Sequence, residues 1–346
     1  VHHLFQIHSY IFSYKKNNLN IHIYMTELGI VGNKIVKIYN KLERSLHKMP
    51  IWFHLLLLLI IVFILVNVYN SYTPVKEGFI DQKDKFVVKK GINLYDDFYV
   101  NIYDELFYRE LVNQYEVGSI ENITNPTSES NILVIGSGTG HVVNEFHKQG
   151  YKVVGLDESQ AMVKYAKEEY PELNFVQGTP MKSIAFDQQQ FTHIVCLNMN
   201  YYYYKDKTAL LQNIFNWLRP GGFFIVQLVD KNKFDPIVPA AKPFIMVNPQ
   251  SFADKRITES NVVFNNFDYK SDFQVYPNDV VQFQEIFKDT TPGSKKTRQN
   301  VHKMWIPPKQ TIINQCKETG FITFAQVDLL MAQLEYQYLY VFQKPE

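Results

Sequence analysis

The sequence predicts a doubly wound α/β domain with a seven-stranded sheet and an antiparallel β insert, preceded by a single transmembrane helix. Three observations lead there. Apolar strands and amphipathic helices alternate from Ile132 onward, long alternating segments interrupt that rhythm at about 231–308, and an uncharged apolar run fills Ile51–Val66. Alternating βαβ units imply a parallel sheet covered by helices on both faces. Alternation of period two, broken by Pro-Asn-Asp and Thr-Pro-Gly-Ser, implies antiparallel strands.

Residues 1–50 form an N-terminal tail. Its first part, 1–24, is rich in Asn, Ile, Tyr, Lys, His and Phe without amphipathic period. It reads as untranslated sequence, with translation starting at Met25. The apolar run, extended to 51–69, reaches the ~20 residues a bilayer crossing needs. Trp52 at one end and Tyr69 and Tyr72 at the other suit the two interfaces. Orientation is a tie, since Lys34, Lys37, Lys41, Arg44 and Lys48 precede the run while Lys76, Lys83, Lys85, Lys89 and Lys90 follow it. Residues 70–90 read as a polar stalk. Leu94–Tyr115 has aromatic residues at helical spacing and predicts one packing helix, followed by a turn-rich loop at 121–130. Strands are expected at 132–135, 152–156, 173–176, 192–197, 222–229, 321–328 and 335–343. Helices are expected at 141–149, 159–169, 206–218 and 309–318.

Composition narrows the function. Thirty-five basic residues against 34 acidic leave a net charge of +1, so no general positive field exists to hold a nucleic-acid backbone. Cys196 and Cys316 are the only cysteines, which excludes a disulfide framework and a cysteine-built zinc site and fits a reducing compartment. No metal site is expected.

The chemistry concentrates at Ile132-Leu-Val-Ile-Gly136-Ser-Gly138-Thr-Gly140-His, a strand running through three glycines into a helix. Glycines permit a tight turn and close backbone approach, and the helix N-terminus offers unpaired N–H groups. The next strand ends in Asp157, a carboxylate placed to accept both hydroxyls of a ribose. The glycine spacing differs from G-x-G-x-x-G, and position 141 is His, which argues against an NAD-dependent oxidoreductase.

In this order the blocks ILVIGSGTG, VVGLDESQAMVKYAKE, FVQGTPMKSIAFDQQQFTHIVCLNMNYYYY and LRPGGFFIV resemble the class I S-adenosylmethionine-dependent methyltransferases, which have a Rossmann-like fold. The resemblance covers 132–228 and implies a methyltransferase domain at 91–346. It implies that Gly136, Ser137 and Gly138 line the methionine moiety, that Asp157 binds the ribose, and that Glu158 and Met162 flank the adenosine. By the same resemblance Thr179, Pro180 and Met181 meet the adenine, and Leu197 and Asn198 lie beside the sulfonium. Two positions depart from the family: Val134 stands where an acidic residue is frequent, and Thr179 where an Asp is.

Methyl transfer from a sulfonium is an in-line displacement resting on alignment and sometimes on a base. Asn198 and Tyr202, after the fourth strand, and His302, in the insert beside Arg298 and Trp305, are the expected catalytic groups. Tyr95-Asp-Asp-Phe-Tyr99 with Ile102-Tyr103-Asp104 is similar to the lid helix of small-molecule members, including glycine and amino-sugar N-methyltransferases, and implies Tyr95 and Tyr103 as a lid. The expected reaction is methylation of an N or O atom of a small-molecule or lipid-linked acceptor. The chain is expected to be a single-pass membrane protein with a cytosolic catalytic domain, able to form a homodimer. The rivals are a non-catalytic membrane-anchored binding module and the oxidoreductase.

Overall fold

The computed structural model describes residues 50–72, 79, 82–242 and 248–346, and leaves the side chains of 66–72 outside that description. The expected translation start at Met25, the tail basic residues and part of the stalk lie outside the described residues. The chain divides into two compact units, Val1–Pro74 and Val75–Glu346.

In the first unit, α1 (Ile51–Tyr72) begins where the apolar run begins. Its described side chains, 51–65, are almost all exposed. Among the described residues no helix is long and apolar enough to cross a membrane, so the expected transmembrane helix at 51–69 is not found among them.

The second unit opens with β1 (Phe86–Lys90), α2 (Asp97–Phe107) and α3 (Glu110–Thr124). Both sequence expectations here need correction. The end of the expected stalk is a strand, because the alternation in Phe-Val-Val-Lys-Lys lets it pair with a later strand. The single packing helix is two. Tyr108 and Arg109 are extended (ψ 134° and 111°) and end one helix before the next begins. The second runs into the start of the expected loop and stops at Asn125, whose backbone is left-handed.

The main sheet comprises β2 (Asn131–Ile135), β3 (Lys152–Asp157), β4 (Asn174–Gln177), β5 (Phe191–Cys196) and β6 (Leu218–Val229). Between them run α4 (His141–Lys148), α5 (Gln160–Glu169) and, after β5, α6 (Lys207–Trp217). The chain then forms β7 (Glu259–Val263), β8 (Phe267–Val275), β9 (Val280–Asp289) and β10 (Thr297–Trp305). It closes with α7 (Lys309–Thr319), β11 (Ile322–Asp328) and β12 (Gln337–Gln343).

Seven strands form one sheet in the order β11-β12-β6-β5-β2-β3-β4, parallel except at β12. Strand order reverses beside β2, where open α/β sheets hold ligands beyond the strand C-termini. Five strands form the second sheet, β1-β10-β9-β8-β7. Its inner face carries Phe267, Tyr269, Phe273, Phe283 and Phe287, all buried. Phe98, Tyr99, Ile102 and Leu106 of α2 share one hydrophobic cluster with that face and with Leu133, Ile194 and Phe224 of the main sheet. Each such side chain contributes about 1.5–3 kcal/mol on burial, so α2 is fixed between two layers by apolar packing.

Candidate active site

The glycine turn leaves β2 with Gly136, Gly138 and Gly140 all at positive φ (68°, 53° and 97°). Gly136 must be glycine for a second reason. A Cβ there would collide with the Asn200 side chain, whose Nδ2 donates to the Gly136 carbonyl at 2.9 Å. Asn200 is held there by a tight turn after β5, in which Asn198 and Met199 both take positive φ (52° and 60°). That turn leaves Asn198 exposed toward the cavity.

Asp157, at the C-terminus of β3, accepts the Gly138 N–H on Oδ2 and the Ser159 N–H on Oδ1, each at 2.9 Å. Each oxygen keeps a lone pair for a ligand hydroxyl. Burial pushes the Asp157 carboxyl up to about 6, and the two backbone N–H groups hold it back from rising further.

Tyr95 is placed from two sides. Its carbonyl accepts the Ser159 hydroxyl at 2.6 Å. Arg298 of β10 donates to the Leu94 carbonyl and the Asp96 carboxylate, both at 2.9 Å. At the other end of α2, Asp104 accepts the Thr139 hydroxyl at 2.7 Å and pairs with His141 Nε2 at 2.8 Å. Helix α2 is thereby stapled to the glycine turn.

Strand alternation sends Arg298, Asn300 and His302 of β10 and Glu285 of β9 to the inner face of the insert, where all four are buried. Glu285 accepts from His302 Nε2 at 2.8 Å, from the Tyr269 hydroxyl at 2.9 Å and from Asn300 at 3.3 Å. The Tyr99 hydroxyl oxygen lies 3.3 Å from the same histidine nitrogen. With its proton on Nε2, His302 presents Nδ1 as an acceptor, and the Tyr203 hydroxyl donates to it at 2.8 Å. The Tyr95 ring stands edge-on to Tyr203, with ring centroids 6.4 Å apart. Burial raises Tyr203 far above the ordinary phenol range, so it stays an O–H donor.

These groups converge on one cavity of about 810 Å³. Of the residues singled out in the sequence, Tyr95, Tyr103, Gly136, Ser137, Gly138, Asp157, Glu158, Met162, Asn198 and His302 line it. The structure does not bring the others to its wall. Tyr202 is fully buried, and its hydroxyl accepts the Val229 N–H at 2.9 Å. The run 201–204 is pinned from below by buried Lys207, which donates to the carbonyls of Tyr201 and Tyr204, so Tyr203 and Tyr204 face the cavity instead. Leu197 is 2% exposed and packs in the core. Thr179, Pro180 and Met181 form a turn in which the Pro180 carbonyl accepts from Asn213 of α6 at 2.8 Å.

Sequence reading offered the run Tyr201–Tyr204 and chose Tyr202 where Tyr203 lines the cavity, and it missed Glu285, Asn200, Asn113 and Glu116. Only Glu285 left a signal: it is the one charged residue in the stripe Val281, Phe283, Glu285, Phe287.

Residues 132–222 match the family described as a methyltransferase domain. The cofactor of such a domain is S-adenosylmethionine, and the residues present fit it. A glycine cradle, a recessed carboxylate at the end of β3 and a buried Ser137 hydroxyl without a hydrogen-bond partner all border the same cavity. Demethylmenaquinone methyltransferase of Chlorobaculum tepidum is 30% identical over 107 residues, 30% of this chain and 43% of that protein. The chain thus spans less than half the length of that curated relative. A crystal structure of an S-adenosylmethionine-dependent methyltransferase from Clostridium acetobutylicum superposes with a TM-score of 0.56 at 15% identity, over 72% of this chain and 98% of that one. An amino pentose methyltransferase of Micromonospora echinaspora, solved with S-adenosylmethionine bound, gives a TM-score of 0.51 at 17% identity, over 71% and 96%. At these identities the likeness is one of fold, and the domain shares that fold beyond the matched segment.

Proposed function

We propose that the chain transfers a methyl group from S-adenosylmethionine to an N or O atom of a small-molecule or lipid-linked acceptor. The observation that carries this reading is the convergence of the Gly136–Asp157 cradle and the Glu285–His302–Tyr203 chain on one cavity. When bound, the cofactor supplies an electrophilic methyl on a sulfonium. The protein's own groups then have three tasks. Asp157, held by the Gly138 and Ser159 N–H groups, would accept the ribose hydroxyls. The lid residues Tyr95 and Tyr103 exclude water, which keeps an acceptor nitrogen or oxygen desolvated. An acceptor that must lose a proton passes it to the Tyr203 oxygen as Tyr203 passes its own to His302 Nδ1, and Glu285 stabilises the imidazolium that results.

Both nitrogens of His302 are engaged in this arrangement. The histidine expected to touch the acceptor therefore acts as the proton store behind Tyr203. The relatives support the acceptor class, one being named for demethylmenaquinone and another for an amino pentose. The uncharged apolar run Ile51–Val66 favours attachment of the chain to a membrane with the domain on the cytosolic side, where the cofactor is made, although no helix among the described residues is long and apolar enough to cross one. A tether raises the local concentration near lipid-phase acceptors and keeps them in the proposed class. Alkaline carbonate that strips the chain from membranes would contradict the tether.

The test is transfer of label from methyl-labelled S-adenosylmethionine by the full chain in lipid vesicles, offered amino sugars and hydroxylated quinone precursors. Labelled acceptor and stoichiometric S-adenosylhomocysteine are expected. Cofactor that binds but never turns over with either acceptor class would overturn the proposed acceptors.

A further inference from the structure

The wall of the cavity formed by α3 contains two acceptors without a hydrogen-bond partner among the described residues. On α3, Asn113 and Glu116 stand one helical turn apart and so share a face. Both line the cavity, and they are 5% and 2% exposed. Asn113 Oδ1 and Glu116 Oε1 are buried without a hydrogen-bond partner. Leaving two such oxygens unpaired is costly, and buried polar atoms without partners are rare in folded chains. The pair therefore points to a donor that arrives with a ligand.

Its position narrows the donor. The Asn113 side chain donates to the carbonyl of His141, the first residue of α4, at 3.3 Å. The orphan pair thus lies against the end of the glycine turn, with Thr139 and Val142 on the same wall. The charge narrows it further. Glu116 forms no ion pair among the described residues, and Arg109 is the only charged neighbour that offsets its burial, which pushes the carboxyl up to about 8. A carboxyl held neutral by burial ionises when a cation is brought to it. A carboxylate and an amide oxygen on one face suit a group with several N–H donors and a positive charge. At position 134, where the resembled family frequently has a carboxylate, this chain has a valine that is 2% exposed and packed in the core.

We propose that Asn113 and Glu116 form an ammonium subsite that binds the amino group of the cofactor's methionine tail. This rests on the reading of the cavity as a cofactor site. The same chemistry is offered by an amine acceptor, and the experiment separates the two sources.

The full chain and its Glu116→Gln variant are titrated calorimetrically with S-adenosylhomocysteine and with 5′-methylthioadenosine, which has the adenosine and the sulfur but no amino-acid tail. The substitution is expected to weaken S-adenosylhomocysteine about 10- to 100-fold, the loss of one charge-assisted hydrogen bond, and to leave methylthioadenosine unchanged. Retained methylthioadenosine binding shows that the variant is folded. Equal affinities of variant and wild type for S-adenosylhomocysteine overturn the subsite while leaving the cofactor reading intact. In that case a raised KM for an amine acceptor alone would assign the pair to the acceptor. Equal weakening of both ligands also overturns it, because the defect then lies outside the tail. A wild-type chain that binds neither ligand overturns the cofactor reading and the subsite with it.

Discussion

Asp157→Ala is expected to weaken S-adenosylhomocysteine about 10²- to 10⁴-fold, the largest effect of any single substitution on binding. Two ligand hydroxyls lose a charged acceptor, and each such bond contributes about 1.5–3 kcal/mol. The Gly138 and Ser159 N–H groups also lose theirs, which frees the glycine turn. Asp157→Asn retains an acceptor oxygen and is expected to lose less. The same carboxyl sets a pH dependence. Burial raises it to about 6, and the ligand prefers the ionised form. Affinity is therefore full above that value and falls toward tenfold per unit below it. Calorimetric titration between about pH 5 and about pH 8 checks both statements. A flat profile, or an alanine variant with wild-type affinity, would show that Asp157 does not hold the ligand.

Tyr203→Phe and His302→Ala are expected to lower kcat by about 10²–10³ and to leave cofactor affinity within a factor of about 2, as removal of acid–base assistance does. The two should be strongly non-additive, since both interrupt one proton path, and the double variant should be little slower than the slower single. Glu285→Gln keeps the shape of the buried carboxylate and removes its charge. As a positioning residue behind His302 it should lower kcat without raising KM for the acceptor. Additive losses, or losses confined to KM, would contradict the relay and return His302 to a structural role.

How much of this was legible in the sequence follows from what each kind of pattern encodes. The strand–glycine–helix turn and the terminal Asp157 depend on backbone freedom and local spacing, and both stand where the sequence places them. The alternation of the insert exposed its strands for the same reason. It did not reveal that β1, read as stalk, would join them, because a strand's partner is not encoded in its own residues. The run Tyr201–Tyr204 carries no mark of which ring faces the ligand. That choice is made by Lys207, a full helical start away, and it buries Tyr202 while presenting Tyr203. Glu116 was hidden for another reason. The extended backbone at Tyr108 and Arg109 divides what read as one packing helix, and only the second helix aims Asn113 and Glu116 at the glycine turn.

The measurement that tests the central claim most directly is titration of the full chain with S-adenosylhomocysteine, with NADH as the competing ligand of a glycine-rich turn. Micromolar binding of S-adenosylhomocysteine and no heat from NADH is the predicted result. A folded chain that binds NADH, or that binds neither, would contradict it.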